Sequence, residues 1–589
     1  MTAHLLAISI GPVQDFIAAA RRTRDLWFGS YLLSEISKAS ARAIRDAGGI
    51  LIFPAPIKSK DLDTDSFNVA NIILAELPEQ LNPETVRVSA WSASVGRWKH
   101  YAEQARNEAA GLIRDEIWND QVDDVVEFYA AWIPLNSPDQ YMEARQRVMK
   151  ILAGRKACRN FLPAKGRAGV PKSSLDGARE SVWRDPKNSR EFNHRLDRRL
   201  RLSDGEQLDV VGLTKRLGGG KKGYPSVSRL AADPWLRGVA RSPNDRRLFS
   251  DLKVCCEGLV SAGLGSVNWT QFADFPYEGA AVYRHRHKEL AEETGQDSGG
   301  YGELGKIVSE LEKKFGAPEP YLAVLVADGD RMGKTISGLD SAAKHQAFSR
   351  NLADFAGNAT QILQKYRGCL VYSGGDDVVA FLPLDQCLPC ARDLHDSFGK
   401  LVGQTLTSEA PSLSVGVAIG HFMEPLEDLL SYGHSAEKAA KEPDRNGLAV
   451  HLHTRGGASV AVRMSWNLNP DERLGKWVEM HRQDQIPDKA AYDLRELALD
   501  YQGWPNVTEA DRGSLKSAIQ KDALQLVARK KSRHGEEGLV RLRDLIREVK
   551  SAEDLFDVAR EILIAGRIAR AREQAGGDQN IKNPNEAKA

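Results

Sequence analysis

The sequence predicts an α+β fold with two βαββαβ units, a helical segment between them and a helical bundle at the C-terminus. Three observations support this prediction. Apolar runs of strand length alternate with amphipathic runs of helix length near the N-terminus and again over 321–452. The segments between and after these two parts have apolar residues at helical spacing. The chain has 589 residues, more than one hydrophobic core supports, so three or four domains are expected.

The expected domains are an α/β domain over 1–110, a helix-rich domain over 111–315, a second α/β domain over 316–460 and a helical domain over 461–589. Apolar spacing in the last domain predicts helices over 488–502, 511–532, 536–550 and 552–574. The polar tail from Gly576 onward is expected to be disordered, because it has too few apolar residues to form a core.

The first domain begins with a predicted strand over 5–10. Gly11 and Pro12 follow this strand, and proline suits the first turn of a helix. A helix over 30–47 is expected to end at the glycine pair 48–49, and the apolar run over 50–54 predicts another strand. This domain has no acidic turn like the one described below, so we expect it to be non-catalytic.

The second α/β domain has the clearer pattern. After a buried-strand run over 321–328, the expected elements are a helix over 342–366, a hairpin over 369–383, a helix over 387–404, a strand over 413–420, a helix over 425–441 and a strand over 448–452. This order is the ferredoxin-like arrangement with one appended helix and strand. In that topology the first strand lies beside the central hairpin.

Two acidic residues, Asp376 and Asp377, follow Gly374-Gly375 at the turn of the hairpin. Glycine and aspartate are common turn residues, so an ordinary acidic turn explains the pattern without any ligand. Adjacent carboxylates repel each other, however, and Mg²⁺ takes carboxylate oxygens together with substrate phosphates. Since Asp328 ends the neighbouring strand, we expect it to face Asp376 and to share metal with this turn.

The segment from Gly329 to Thr335 follows a strand and ends in Gly-Lys-Thr, as a phosphate-binding P-loop does. Its spacing is one residue short, and Asp328 stands where the first glycine belongs. A carboxylate at that place repels phosphates unless metal intervenes. We therefore do not predict a P-loop, although Arg331 and Lys334 are placed to help hold phosphates.

Three segments of the second α/β domain resemble a nucleotide-cyclase or polymerase palm: Gly374-Gly375-Asp376-Asp377, Asp328-Gly329-Asp330-Arg331-Met332-Gly333-Lys334 and Ser414-Val415-Gly416-Val417. A wider set of motifs resembles the large subunit of type III CRISPR effector complexes, specifically the Cmr (III-B) type. This set comprises Ile-Ser-Ile-Gly-Pro-Val-Gln-Asp-Phe-Ile at 8–17 and the segments 20–30, 171–177, 211–216 and 224–228. The resemblance covers roughly residues 1–460.

The resemblance implies nucleotidyl transfer, in which a ribose hydroxyl attacks an α-phosphate, pyrophosphate leaves and two metal ions assist. It implies ATP as the substrate and either cyclic oligoadenylate or AMP joined to S-adenosylmethionine as the product. Synthesis would start when the crRNA-guided complex pairs with a target RNA. The implied partners are the other Cmr-type subunits, crRNA and target RNA. The expected catalytic residues, and ligands of Mg²⁺ or Mn²⁺, are Asp328, Asp376 and Asp377.

The resemblance also implies nucleotide-binding residues around these acids, namely Ser373, Gly374, Gly375, Asp330, Lys334, Lys441 and Arg445. In related cyclase palms, a lysine at the position of Lys441 binds the triphosphate. Cations at the C-terminal end of a helix also interact favourably with the helix dipole, which is a second explanation for Lys441 and Arg445.

Many members of this family carry an N-terminal HD nuclease domain. Here the first strand begins near residue 4, and His395-Asp396, the chain's one His-Asp dipeptide, falls within a predicted helix. We therefore expect no HD-type DNase activity. Some members without that domain join AMP to S-adenosylmethionine, so both products stay open.

Relatives often carry a zinc-binding cysteine cluster in their second domain. Cys158 has no nearby cysteine, so a degenerate zinc-finger region is expected within 111–315. Cys387 and Cys390 have a zinc-like spacing, but no second pair accompanies them and they open a predicted helix. We therefore expect no zinc site.

Charge and hydropathy bear on the expected partners and location of the protein. The formal net charge of +1 neither indicates nor excludes nucleic-acid binding, since local patches contact phosphates. The arginine-dense segment 184–201 fits either RNA contact or a solvated helix face balanced by acids. No apolar run reaches the length of a bilayer span and no signal peptide is recognisable, so a cytoplasmic protein without a membrane partner is expected.

Two other functions stay open. The chain is a catalytically silent scaffold of the same RNA-guided complex if its palms only hold subunits and RNA, although a silent site has no need of four acids. The other alternative is a diguanylate-cyclase-like enzyme. The tandem domains disfavour it, as does Asp377, where those cyclases usually carry Glu.

Overall fold

The computed structural model describes residues 3–56, 58–64, 67–158, 166–184, 205–219, 223–261, 263–294, 298–403, 410–502 and 512–576. The predicted α+β class is confirmed. The described residues contain two mostly antiparallel sheets, each with helices packed against it, and a helical C-terminal part.

The first sheet has the strand order β2-β3-β1-β4, which is the ferredoxin-like order. Its strands are β1 (Ala3–Gly11), β2 (Ile50–Phe53), β3 (Ile72–Leu77) and β4 (Glu127–Leu135), all paired antiparallel. The accompanying helices are α1 (Gln14–Ala18), α2 (Thr23–Asp46), α3 (Pro83–Glu108), α4 (Asp115–Val122) and α5 (Tyr141–Ala157).

The fourth strand of this sheet lies beyond residue 110, within the segment that we expected to be helix-rich. β4 pairs along its whole length with β1, so the proposed domain boundary at 110 falls inside the sheet. β4 is an edge strand, which is why Pro134 is tolerated within it. Apolar and polar residues do not alternate regularly along β4. Its strand conformation is therefore determined by pairing with β1, which is distant in the sequence.

The segment between the two sheets is helical, as predicted. Its described helices are α6 (Val210–Leu217), α7 (Val227–Arg241), α8 (Arg246–Val260), α9 (His287–Thr294) and α10 (Ser298–Phe315). Most of the arginine-dense segment lies outside the described residues, and so does the polar tail after 576.

The second sheet has the strand order β10-β9-β8-β5-β7-β6. Its strands are β5 (Tyr321–Gly329), β6 (Cys369–Ser373), β7 (Val378–Pro383), β8 (Leu413–His421), β9 (Gly447–Leu452) and β10 (Val460–Ser465). Its helices are α11 (Met332–Ser337), α12 (Ala342–Lys365), α13 (Cys387–Leu401) and α14 (Leu426–Lys441).

The four strands β8-β5-β7-β6 have the predicted ferredoxin-like order, and β9 adds to them in parallel. One prediction for this region is wrong. We expected the helical domain to begin at residue 461, but β10 lies there, after Gly456-Gly457, and pairs antiparallel with β9. Gly456 and Gly457 lie in the connection between β9 and β10. Pairing with β10 provides hydrogen-bond partners for the backbone groups that β9 would otherwise expose at the edge of the sheet.

The C-terminal helices are α15 (Pro470–Arg482), α16 (Asp488–Gln502), α17 (Arg512–Ala528), α18 (Glu537–Glu548) and α19 (Ala552–Gly576). The four predicted helices of this part are confirmed, and α15 was not predicted. Buried residues recur along α19 from Leu555 to Ala575. Arg241, at the end of α7, donates a hydrogen bond to the carbonyl of Ala575 at 2.7 Å. The C-terminal part therefore packs on the intervening segment.

The two sheets are joined through buried polar contacts. Arg145 of α5 donates to the carbonyls of Ser337 and Leu339, at the end of the short helix α11. Tyr141 and His345 share a hydrogen bond of 2.7 Å, and both are buried. The first domain thus supports the loop that follows β5.

Within the part of the chain described above, none of the helices combines the length and apolar character that a bilayer span requires.

Candidate functional site

The turn between β6 and β7 depends on its two glycines for different reasons. Gly375 has a backbone φ of +100°, a left-handed conformation that favours glycine. A Cβ at Gly374 would lie 1.7 Å from the hydroxyl oxygen of Tyr372, so the tyrosine ring occupies the space of a side chain. The amide of Gly374 donates to the carbonyl of Asp377 at 3.1 Å and closes the hairpin.

The end of β5 lies directly beside this turn. β5 and β7 pair in register from Leu322 to Ala327, and Ala327 lies opposite Val378. A Cβ on Gly329 would come within 2.9 Å of the Asp376 Cβ, so glycine permits this close approach. The strand pairing therefore places Asp328 against the turn.

Three carboxylates converge at this point. One oxygen each of Asp328, Asp376 and Asp377 lie within 4.8 Å of one another, and all three residues are partly buried. Three crowded carboxylate oxygens are the donor set that a hard divalent cation such as Mg²⁺ or Mn²⁺ takes. Among the described residues, this is the group of His, Cys, Asp or Glu side chains arranged closely enough to hold a metal ion.

The electrostatics of the group agree with this donor set. Burial, followed by the charge of Asp328, raises the pKa of Asp376 to about 6. Burial, the hydrogen bond with Asp328 and the charge of Asp376 raise the pKa of Asp377 to about 9. Like charges close together disfavour ionisation, and a bound cation would remove that penalty.

Lys441, at the end of α14, is the nearest cation to these acids. Its ammonium nitrogen pairs with Asp328, and it lies 2.6 Å from Glu437 one helical turn earlier. Burial opposes the charge, but the two ion pairs raise the pKa of Lys441 above its usual value. The packing of α14 on β8 positions this lysine, because a Cβ at Gly416 would lie 2.1 Å from the Glu437 nitrogen.

Asp330 lies outside the three-carboxylate group. Its side chain is 1% exposed and accepts hydrogen bonds from the hydroxyls of Ser412 and Ser414 and from the amide of Asn446. These partners come from the start of β8 and the loop before β9. The structure therefore gives Asp330 a position that ties these segments together, outside the group of three carboxylates.

The other two predicted cations are placed at the rim. Arg445 has a left-handed backbone φ of 63°, and its guanidinium lies 4.0 Å from Asp330. Lys334 is an exposed residue of α11, the short helix that follows β5. Lys334 lies on the helix that follows β5, and Arg445 lies in the connection that follows α14, so both are next to elements that carry the acids and Lys441.

Ser373 lies at the other side of the turn and faces the first domain. It is 4% exposed, and its hydroxyl oxygen finds no hydrogen-bond partner among the described residues. It lines a cleft of about 70 Å³ between β6 and the first domain, to which Trp27, Tyr31 and Asn71 also contribute. Trp27 and Tyr31 stack with ring centroids 5.7 Å apart. The amides and the unpaired Ser373 hydroxyl are suited to a ribose, and the volume admits only part of a nucleotide.

Sequence reasoning missed several residues that shape the site. Glu437 shares Lys441 with Asp328, and its only signal is the spacing of four residues on one helix. The hydroxyls that bind Asp330 had no signal at all, because their partner is more than 80 residues away.

Two family models match separate parts of this chain. Residues 5–111 match the N-terminal domain of CRISPR-associated protein Cmr2, and residues 321–449 match the second palm domain of Cas10/Cmr2. The chain is also similar to the CRISPR system Cmr subunit Cmr2 of Pyrococcus furiosus, with 24% identity over 558 residues. That alignment covers 79% of this chain and 63% of the relative, so the chain spans under two thirds of the relative's length.

Solved structures of type III-B Cmr-beta share the fold. A chain of the apo state matches with a TM-score of 0.63 at 13% identity, covering 90% of this chain and 78% of that chain. A chain of the complex bound to cognate target RNA matches with a TM-score of 0.59 at 13% identity, covering 91% and 80%. The two matches stand in the order that the sequence motifs predicted, so this chain carries a Cmr2-type N-terminal domain and a Cas10/Cmr2-type second palm domain, with similarity to a Cmr subunit between and around them.

Proposed function

We propose that this protein is a nucleotidyltransferase that makes an adenylate messenger from ATP, as the large subunit of a cytoplasmic, crRNA-guided Cmr complex. The observation that carries this proposal is the convergence of Asp328, Asp376 and Asp377 at the end of a palm sheet. The match to the second palm domain of Cas10/Cmr2 agrees with it, because the matched residues 321–449 contain all three acids.

The reaction needs few groups from the protein. A ribose hydroxyl oxygen of one nucleotide forms a bond to the α-phosphorus of ATP, and the bond to the pyrophosphate oxygen breaks. Mg²⁺ or Mn²⁺ bound by the three carboxylates would lower the charge on the phosphates and favour ionisation of the attacking hydroxyl. Lys441 would hold the triphosphate, and no covalent intermediate with the protein is required.

The cleft at Ser373 supplies a place for a nucleotide beside the carboxylates. Its polar side chains come from both domains, so the two palm sheets together would bind the substrate. Gly374 and Gly375 would let phosphates approach the backbone at the turn, and Lys334 and Arg445 would add positive charge at the rim. In this assignment Asp330 contributes by holding the loops, not by contacting nucleotide.

The proposed partners are the other Cmr-type subunits, crRNA and target RNA. Their support is the similarity to a Cmr subunit and the shared fold with a chain of Cmr-beta observed with cognate target RNA. Two products stay open, cyclic oligoadenylate and AMP joined to S-adenosylmethionine. The absence of HD-type DNase activity stays a prediction.

One experiment tests the proposal. The complex is reconstituted with crRNA and target RNA, and labelled ATP is added with Mg²⁺ or Mn²⁺, with and without S-adenosylmethionine. We expect a labelled product that depends on target RNA and disappears in the Asp376→Ala, Asp377→Ala double variant. A complex that binds target RNA but forms no nucleotide product under any combination would be a silent scaffold.

A further inference from the structure

Both ends of the β6–β7 hairpin are held by side chains from outside the palm sheet. Arg367 lies two residues before β6, and Asp385 lies two residues after β7. Each forms a salt bridge with α7 of the intervening segment, which lies more than 120 residues earlier in the chain. Salt bridges to α7 therefore hold both ends of the hairpin that carries Asp376 and Asp377.

Asp233 is the centre of this network. Arg367 binds it with two hydrogen bonds, of 2.8 and 2.9 Å, in a bidentate arrangement. Arg229 and Arg237, one helical turn on either side of Asp233, bind the same carboxylate at 2.9 and 2.7 Å. Arg237 then reaches Asp385 at 2.7 Å and connects Asp233 to the other end of the hairpin.

These charges are deeply buried. Arg229 and Asp233 are 0% exposed and Asp385 is 3% exposed. The guanidinium of Arg229 also lies 4.5 Å from the ring centre of Phe272. Burial alone would raise the pKa of Asp233, but Arg229, Arg237 and Arg367 lower it to about 2. Buried ion pairs often contribute little net stability, and their better-attested role is to specify one geometry.

The sheet alone does not fix the position of this hairpin. β6 is the edge strand, paired only with β7, and its register shifts between Leu370 and Tyr372. Two further hydrogen bonds from the intervening segment secure β6 and its approach. Tyr224 donates to the carbonyl of Leu370 and Gln271 to that of Gly368, both at 2.9 Å.

We propose that Asp233, Arg367 and Asp385 are positioning residues that set where the Asp376–Asp377 turn lies relative to Asp328. The inference rests on the proposed metal site and goes beyond it, because it assigns the site's geometry to the intervening segment. Mg²⁺ demands near-ideal placement of its oxygen ligands, so a small displacement of an edge hairpin weakens binding.

The test uses the double variant Arg367→Gln, Asp385→Asn in the full chain. It releases both ends of the hairpin and leaves the Arg229–Asp233–Arg237 contacts within α7 intact. The matched control is Glu561→Gln, which weakens a buried bond to Arg473 and Trp477 in the C-terminal part, away from the hairpin. The measurements are Mn²⁺ binding by electron paramagnetic resonance, hydrogen exchange of residues 369–383 and the unfolding temperature.

We expect the double variant to bind Mn²⁺ about 10-fold more weakly than the parent chain, a loss of roughly 1.4 kcal/mol. Its hairpin amides should exchange faster, while the control keeps parental Mn²⁺ affinity and hairpin exchange. Parental Mn²⁺ binding and hairpin exchange in the double variant would overturn the inference and leave the metal site standing. Equal losses in the control would also overturn it, since the role would then be general stability. If the parent chain shows no Mn²⁺ binding that Asp376→Ala, Asp377→Ala removes, the proposed function itself fails.

Discussion

The ammonium of Lys441 pairs with the carboxylate of Asp328, where two further carboxylates, those of Asp376 and Asp377, converge on the same space. Glu437 shares the same ammonium at 2.6 Å. One ammonium group is thus shared among several carboxylates, so part of their negative charge is left without a balancing cation. In the proposed function the same lysine would hold the phosphates of a nucleotide, so its contacts would differ before and after substrate binding.

Lys441→Gln should raise the KM for ATP more than it lowers kcat. A hydrogen bond to a charged group contributes about 1.5–3 kcal/mol, so KM is expected to rise about 10-fold or more. Steady-state kinetics of the reconstituted complex measure both constants. Lys438→Gln is the matched control, because Lys438 is an exposed lysine at the same end of α14. Equal effects of the two substitutions would contradict the role given to Lys441.

The metal-free chain should become less stable as pH rises from about 4 to 7. The pKa of Asp376 is raised to about 6 in the folded chain, above its ordinary value. The neutral form is therefore favoured by folding, and that stability is present at low pH and is lost as pH rises through about 6. Thermal unfolding at several pH values measures this loss, and Mn²⁺ should reverse it at pH 7.

Asp376→Asn removes the same titration. At pH 7 without metal, the variant should unfold at a higher temperature than the parent, by about 1 °C for a gain of roughly 1 kcal/mol in a chain of 589 residues. It should also lose the stabilisation by Mn²⁺. A variant that unfolds at a lower temperature than the parent in metal-free buffer would show that the carboxylates are not in electrostatic conflict.

Gly374→Ala should displace Tyr372 and disturb the turn, because the new Cβ would lie 1.7 Å from the tyrosine hydroxyl. We expect weaker Mn²⁺ binding and a lower unfolding temperature. Gly399→Ala is the control, since an added Cβ there meets nothing within 4 Å. At that exposed position of α13, alanine should stabilise the protein by about 0.5–1 kcal/mol. Parental Mn²⁺ binding by Gly374→Ala would show that the turn tolerates a side chain.

Asp330→Ala and Asp328→Ala should have different effects. Removing Asp330 leaves Ser412, Ser414 and the Asn446 amide without their acceptor, which should cost about 1–3 kcal/mol of unfolding free energy. Removing Asp328 should abolish Mn²⁺ binding with a smaller effect on stability. Chemical unfolding and Mn²⁺ titration separate the two effects. A fully stable Asp330→Ala variant would contradict the role of that residue in holding the loops.

The sequence predicted the strands and helices around the site well, because the signals were local. Continuous apolar runs identified β5 and β7, and the glycine pair identified the turn between β6 and β7. β4 and β10 were missed as strands because both lie at sheet edges, where only their partners β1 and β9 determine their conformation.

The sequence by itself determined the palm topology and the meeting of Asp328 with Asp376 and Asp377, since strand order follows from the order of elements. Only the tertiary structure decided that Asp330 lies outside this group of acids. Asp330, two residues from Asp328, is buried against hydroxyls from the start of β8 and from the residue before it. The salt bridge between Asp233 and Arg367 at the base of the hairpin also had no sequence signal, because the two residues lie more than 130 positions apart. Such contacts depend on how packed elements come together in space, and no local pattern records them.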